Sequence, residues 1–333
     1  MDELITLDYG SGGKKTSRLI SGEILPRFSN SALGELGDGA VLPGAAELVF
    51  STDSFVVDPL FFPGGDIGKL AVCGTVNDIA MCGGEAKYLS LSLIIEEGLP
   101  RETLGRVLDS VQRAADAAGV IVATGDTKVV ERAHGDGLYI NTAGIGFLRH
   151  SGLSPRNMRE GDVVILSGTA GDHGAAVMLA RGGLLEAGDA VRSDCAALCA
   201  LAEALLCSGA EVRCLRDPTR GGVATTLCEF AESSGLGIEL RESEIPVRPA
   251  VRAACALLGL DALYCANEGK MLAVVSAETA DRALEAMRAT ETGRDSAVIG
   301  RVSGADGRVV LRTESGGGRI LQKLAGAQLP RIC

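Results

Sequence analysis

The sequence closes on Leu329-Pro330-Arg331-Ile332-Cys333, which sets a thiol beside a terminal carboxylate. The end of a chain is its most mobile part, so packing is a poor reason to put a thiol there; reaction with it is the expected use. Pro330 stiffens the approach, and Arg331 offsets part of the carboxylate charge that would otherwise disfavour a thiolate. Upstream, Glu314-Ser315-Gly316-Gly317-Gly318 reads as a hinge. A tail running from Gly316 spans roughly 50–60 Å at about 3.3 Å per residue, the length of a swinging arm. A frayed end is the plain alternative.

Four aspartates, Asp38, Asp53, Asp78 and Asp126, stand in apolar or glycine-flanked stretches. If they converge, each pair about 4 Å apart repels by roughly 4 kcal/mol at an effective dielectric of about 20, which calls for a divalent cation. Mg²⁺ takes oxygen ligands and commonly joins one or two carboxylates to substrate phosphates, so magnesium nucleotide is the inferred ligand. Asp53 sits mid-strand, where Asp is disfavoured. Asp78, preceded by Asn77, shares a helical face with Ile67, Leu70, Ala71, Gly74 and Met81, and a carboxylate there costs several kcal/mol unless partnered. A salt-bridged Asp at the edge of that stripe is the bland reading.

Several stretches could meet the phosphates. The loop Gly10-Ser11-Gly12-Gly13-Lys14 can turn backbone N–H groups towards an anion, although Lys15 after Lys14 rules out a Walker A motif. Asp217-Pro218-Thr219-Arg220-Gly221-Gly222 opens a helix; either its donors and Arg220 receive an anion, or Thr219 simply caps the helix. Gly125-Asp126-Thr127-Lys128 follows a strand, a usual place for site residues in α/β proteins. Asp66 can cap the next helix or act as a ligand. Glu268, in Asn267-Glu268-Gly269-Lys270, reads as a solvated turn residue.

The elements that must position these groups alternate. Strand patterns cover 48–57, 88–95, 120–124 and 138–148, with helices at 67–82 and 101–118. The polar, turn-rich stretch His150 to Gly161 marks a boundary. Beyond it come strands at 162–167, 271–276, 297–302 and 307–311, with helices after Gly171, at 195–207, at 223–234 and up to about 289. The expectation is a two-domain α/β (α+β) protein. Its parts are a 1–35 segment with the glycine loop, domains at 36–150 and 151–315, and a mobile 316–333 tail.

Composition narrows the class. The 333 residues are 46% hydrophobic, ample for two cores, while the charge of −11, the absence of Trp and 3% aromatic content argue against a nucleic-acid binder. Ten cysteines without a disulfide framework suit a reducing cytosol, and no Cys/His cluster has metal-ligand spacing; His134, His150 and His173 stand apart. The start lacks a signal peptide's basic region, and the longest apolar helix, 195–207, is too short to span a bilayer. A cytoplasmic protein is expected.

Taken together, these motifs resemble the ATP-dependent family that includes aminoimidazole ribonucleotide synthetase, thiamine-phosphate kinase and selenophosphate synthetase, and within it the hydrogenase-maturation carbamoyl dehydratases. The likeness runs through Gly10 to Lys14, Gly65 to Ala71, Thr75 to Gly83, Gly125 to Lys128, Asp217 to Gly222 and Asn267 to Gly269. It ends in Pro330-Arg331-Ile332-Cys333, its most specific element. The resemblance implies a homodimer in which the N-terminal domains join into a barrel-like sheet beside ATP and Mg²⁺. Asp38, Asp53, Asp78 and Asp126 would be metal and phosphate carboxylates. Gly10, Gly12, Gly13, Lys14, Asp66, Asn77, Gly125, Asp217, Thr219 and Arg220 would belong to the nucleotide site.

It further implies that a carbamoyltransferase, HypF, loads Cys333, that the carbamoyl group is dehydrated to a thiocyanate, and that a HypC-HypD complex receives the cyanide. Lys128 would steady the phosphoryl charge and Glu268 would be the base, with Lys128 a competing candidate. Two rivals stand beside this. A selenophosphate synthetase would carry a Cys or selenocysteine in the glycine loop, where this chain has Gly12-Gly13. A non-catalytic, nucleotide-gated scaffold or metal carrier would use Cys333 only as a ligand.

Overall fold

A computed structural model describes residues 4–10, 14–28, 30–34, 40, 42–184, 191–324, 329 and 331–333. Asp38, Gly12 and Gly13 lie outside the described residues. Gly10 closes the turn Leu7–Gly10, and Lys14 opens the short helix Lys14–Leu19.

In chain order the strands are β1 (Leu48–Phe55), β2 (Phe61–Phe62), β3 (Gly65–Asp66), β4 (Gly84–Glu96), β5 (Ile121–Val130), β6 (Leu138–Leu148), β7 (Val163–Leu166), β8 (Val212–Arg216), β9 (Gly237–Arg241), β10 (Leu272–Val275), β11 (Ala297–Ser303), β12 (Val309–Arg312) and β13 (Gly318–Leu321). They form a four-stranded sheet ordered β1-β6-β4-β5, a seven-stranded sheet ordered β13-β12-β9-β11-β7-β10-β8, and the small β2-β3 pair.

Among the described residues, the first sheet is covered on one face only. The helix Arg101–Ala118 buries Leu104, Val107, Leu108 and Val111, spaced three and four apart, and its other side is polar. It packs on the helix Ile67–Met81, which is buried almost all round because it lies between that helix, the sheet and the second domain. The sheet's other face carries Phe50 at 68% exposure, with Leu48, Ile94 and Ile121 also exposed.

The second sheet is covered on both faces. Val164, Leu166, Leu272 and Val274 meet the helix Gly222–Ser234, while Val163, Ile165, Ala273 and Val275 meet Cys199–Leu206 and Ala280–Arg288. Burial on both sides is why β7 and β10 read as unbroken apolar runs. The helix Pro249–Leu258 and the strands β8, β9 and β13 add to the elements expected from the sequence. Among the described residues no helix is long and apolar enough to cross a membrane.

Three expectations need correction. Gly125 to Lys128 lie inside β5 rather than beyond its end, because β4 is long enough to pair with them, Leu91 with Gly125 and Ile94 with Lys128. A side chain at Gly125 would meet the Leu91 carbonyl oxygen at 2.4 Å, so glycine permits that pairing. Gly316 to Gly318 form a hairpin turn, not a hinge: Val309, Leu311 and Leu321 share one buried cluster, and that burial holds β13 on β12. The helix expected from Cys195 starts at Cys199, since residues 194–198 spend their backbone on Asn77 and Glu268.

Candidate active site

Acidic side chains from both domains meet along the seam between the sheets. Asp53 points from β1 towards the helix Ile67–Met81, whose last turn carries Asp78; Ser51 donates to Asp78 Oδ2 at 2.6 Å. Asp217 follows β8, and Glu268 precedes β10. Burial, then the neighbouring Asp78, push Asp53 up to about 6. Burial, Asp78 and Asp53 push Asp217 up to about 7. Glu268, buried, is driven well above the carboxylate range, first by burial and then by Asp217, Asp194 and Asp53. Its Oε1 has no hydrogen-bond partner. Mutual repulsion and an orphaned buried oxygen are what a set of oxygen ligands for a hard cation looks like without its counter-charge.

The loop that holds Glu268 is built around a close approach. Glu268 N and Gly269 N donate to the two oxygens of Asp194, and Ala196 N donates back to the Glu268 carbonyl at 3.2 Å. A side chain at Gly269 would sit 1.8 Å from the Asp194 carbonyl oxygen, so this position must be glycine. Lys270 Nζ pairs with Asp194 at 3.4 Å.

Residues 331–333 enter this seam. Val56 N donates to a terminal oxygen of Cys333 at 3.1 Å, and Asp58 N to the Arg331 carbonyl at 3.3 Å. Buried His173 bridges Ser193 Oγ and the Ile332 carbonyl, each at 2.8 Å. Burial lowers its pKa and keeps the ring neutral, with the proton on Nε2 towards the carbonyl. Arg181 donates to the Arg331 carbonyl at 2.6 Å, and Arg331 pairs with Asp58 and Asp136. Ile332 is buried in the core. The Cys333 thiol lies beside Glu268; burial, then the Glu268 charge, hold its pKa far above the usual thiol value, with Arg220 opposing.

Other residues expected at the nucleotide site are engaged in holding the fold. Asp66 accepts from Gly68 N, Lys69 N and Ser110 Oγ, so both its oxygens serve the helix start and its neighbour. Asn77 spends its amide on Ala196 O and Leu198 N, stitching the two domains together. Thr219 turns the loop by accepting from Gly222 N. Arg220, by contrast, is exposed beside Asp53 and Cys333.

Asp126 does not join the cluster of its own chain. Register places Asp53 opposite Thr142, Thr142 opposite Leu91, and Leu91 opposite Gly125. Three strand spacings, about 14 Å, therefore separate the two edges. Alternation turns Asp126 and Lys128 to the opposite face, where Lys128 Nζ binds both Asp126 oxygens at 2.5 and 2.6 Å. Of the convergence expected of Asp38, Asp53, Asp78 and Asp126, the structure brings Asp53 and Asp78 together and sets Asp126 apart, while Asp38 lies outside the described residues. Sequence reasoning misses Asp194, His173 and Arg181, because nothing local marks a residue whose partner is distant along the chain. The charged pair Glu268 and Lys270 between apolar runs is the available signal for a buried ionic loop.

Residues 36–148 match the family described as AIR synthase related protein, N-terminal domain, and residues 159–312 its C-terminal domain. Carbamoyl dehydratase HypE of Azotobacter vinelandii is 48% identical, over 99% of this chain and 97% of that one. The chain belongs to the HypE family. A crystal structure of hydrogenase maturation protein HypE in complex with ATP superposes with a TM-score of 0.95 at 47% identity, covering 98% of this chain and 99% of that one. A HypE-HypF complex matches with a TM-score of 0.80 at 45% identity, covering 92% and 99%. The HypE family's overall architecture is therefore that of this chain from end to end.

Proposed function

We propose that this chain is an ATP-dependent carbamoyl dehydratase of hydrogenase maturation whose substrate is its own Cys333. The observation that carries the reading is the Cys333 thiol lying against the buried, partly unpartnered carboxyl of Glu268 amid Asp53 and Asp217. The chemistry is S–C(=O)–NH₂ to S–C≡N with loss of the oxygen and both nitrogen protons. ATP, when bound with Mg²⁺, would supply the phosphoryl group that turns the carbamoyl oxygen into a leaving group.

The chain's own residues do the rest. Asp53, Asp78 and Asp217 would hold the cation, and Arg220 balances charge at the tail. Glu268 would take a proton from the carbamoyl nitrogen once a cation held by Asp53, Asp78 and Asp217 offsets the repulsion that favours its protonated form. The anchors on Arg331 and Ile332 fix the reacting atoms in place of diffusion. A buried, protonated thiol is a poor nucleophile, so loading by HypF takes place with the tail undocked. The exposed apolar face of the first sheet supports a homodimer, and across it Asp126 and Lys128 would serve the partner's nucleotide rather than their own chain's. The glycine loop from Gly10 would close on the phosphates. HypC-HypD would take the cyanide. The ten free thiols suit a cytoplasmic location.

Intact-mass measurement after incubation with HypF and a carbamoyl donor tests this. Cys333 should gain one carbamoyl group, then lose one water only when ATP is present. Loss of water without ATP, or modification at another cysteine, would overturn the reading. Removing Cys333 alone should abolish the mass change and leave HypF binding intact.

A further inference from the structure

Away from the seam, His150, Glu203 and Cys207 come together although 53 and 57 residues separate the histidine from the other two. His150 Nε2 lies 3.2 Å from Glu203 Oε2, Cys207 Sγ 3.1 Å from Glu203 Oε1, and Sγ 4.0 Å from Nε2. With bonds of about 2.3 Å to sulfur and about 2.0–2.1 Å to nitrogen and oxygen, tetrahedral zinc requires edges of roughly 3.3–3.6 Å. The nitrogen and the sulfur meet different oxygens of the carboxylate, and one ligand atom from each residue lies within 4.8 Å of the other two, so side-chain adjustment alone brings the three around one ion.

Rigid backbone holds them. Glu203 and Cys207 are four apart on the helix Cys199–Leu206 and its last turn, with Cys207 N bonded to Glu203 O at 2.9 Å. His150 follows β6, and both Arg149 N and His150 N donate to the Gly83 carbonyl at 3.0 Å. Gly83, at φ 79°, has the His150 carbonyl 2.0 Å from where a Cβ would be, so the approach is tied to glycine. His150 and Glu203 also line a groove with Gly84, Ala202 and Leu206.

We propose that His150, Glu203 and Cys207 form a three-ligand site for a borderline-soft divalent transition-metal ion, such as Zn²⁺, that braces the two domains. A thiolate with an imidazole selects such ions over Mg²⁺, which prefers oxygen alone. On binding, the Cys207 S–H proton leaves to solvent as the metal–sulfur bond forms. The site is separate from the acidic cluster and needs no nucleotide.

Co²⁺ added to full-length protein carrying Cys333→Ala, which removes the thiol beside the acidic cluster, tests the assignment. One equivalent should produce a thiolate-to-cobalt charge-transfer band that Zn²⁺ displaces. The band should vanish in Cys207→Ser and persist in Cys82→Ser. Since losing even an outer-shell partner typically costs 10–100-fold in affinity, His150→Ala should weaken Zn²⁺ binding at least about tenfold by chelator competition. All three ligands are at least partly exposed, so these variants should fold. Absence of the band, its survival in Cys207→Ser, or unchanged Zn²⁺ affinity in His150→Ala would overturn the proposal.

Discussion

Cys333 and Glu268 touch inside the protein, a thiol and a carboxyl both largely withdrawn from water and both held towards their protonated forms. The carboxyl proposed as the base is thus positioned before the carbamoyl group arrives, still to be deprotonated, and replacing it isolates its contribution. Glu268→Gln keeps the shape and removes the proton acceptor. General base catalysis is worth about 10²–10⁴-fold, so single-turnover dehydration, followed by mass change of the C-terminal peptide, should slow by that range while ATP binding stays near wild type. An unchanged rate would remove Glu268 from the role.

Asp53 at about 6 and Asp217 at about 7 bind protons in the folded protein at pH values where the unfolded chain has released them. Their stabilising effect is therefore complete below about pH 4 and is lost as pH rises through about 6–7. Melting curves of nucleotide-free protein should show this as a difference from Asp217→Asn, which should lose less stability between pH 5 and 7.5, a window of roughly the span those values set. Mg²⁺ added at the upper end should narrow the gap. Parallel curves for the two proteins would contradict the coupling.

Phe50 is the most exposed large apolar residue of the first sheet's open face. An Arg there should leave the fold intact, since the side chain touches no core, but abolish pairing of two such faces. Light scattering on the eluted protein should read a monomer, with dehydration reduced at least about tenfold if Lys128 acts across the pair. A dimer that survives Phe50→Arg would move the interface elsewhere.

Asn77→Ala leaves the Leu198 N–H and the Ala196 carbonyl without their partners in a buried seam. Each such loss costs about 1–3 kcal/mol, so urea unfolding should report a destabilisation of about 2–4 kcal/mol. A change below the error of that measurement would mean that the seam rearranges or admits water.

Much of the architecture is legible because it is local. Helix Arg101–Ala118 announces itself by apolar spacing, strand Leu138–Leu148 by its alternation, and Ile67–Met81 by the aspartate that caps it. The tail misleads for a related reason: glycines mark both hinges and hairpin turns, and only the burial of Leu321 chooses between them. Glu268 has the local character of a turn residue, and it is the Asp194 loop, distant in sequence, that encloses it.

Periodicity, caps and the terminal motif, all properties of near neighbours along the chain, determined most of the elements, their order and the residue proposed to carry the substrate. Which acids share a site was decided by tertiary structure. Charge repulsion depends on distance through space, and strand order put Asp126 three strands away from Asp53 while bringing Asp217 and Glu268 from the other domain beside it. The same holds for His150, which no spacing in the sequence could have joined to the helical pair Glu203 and Cys207.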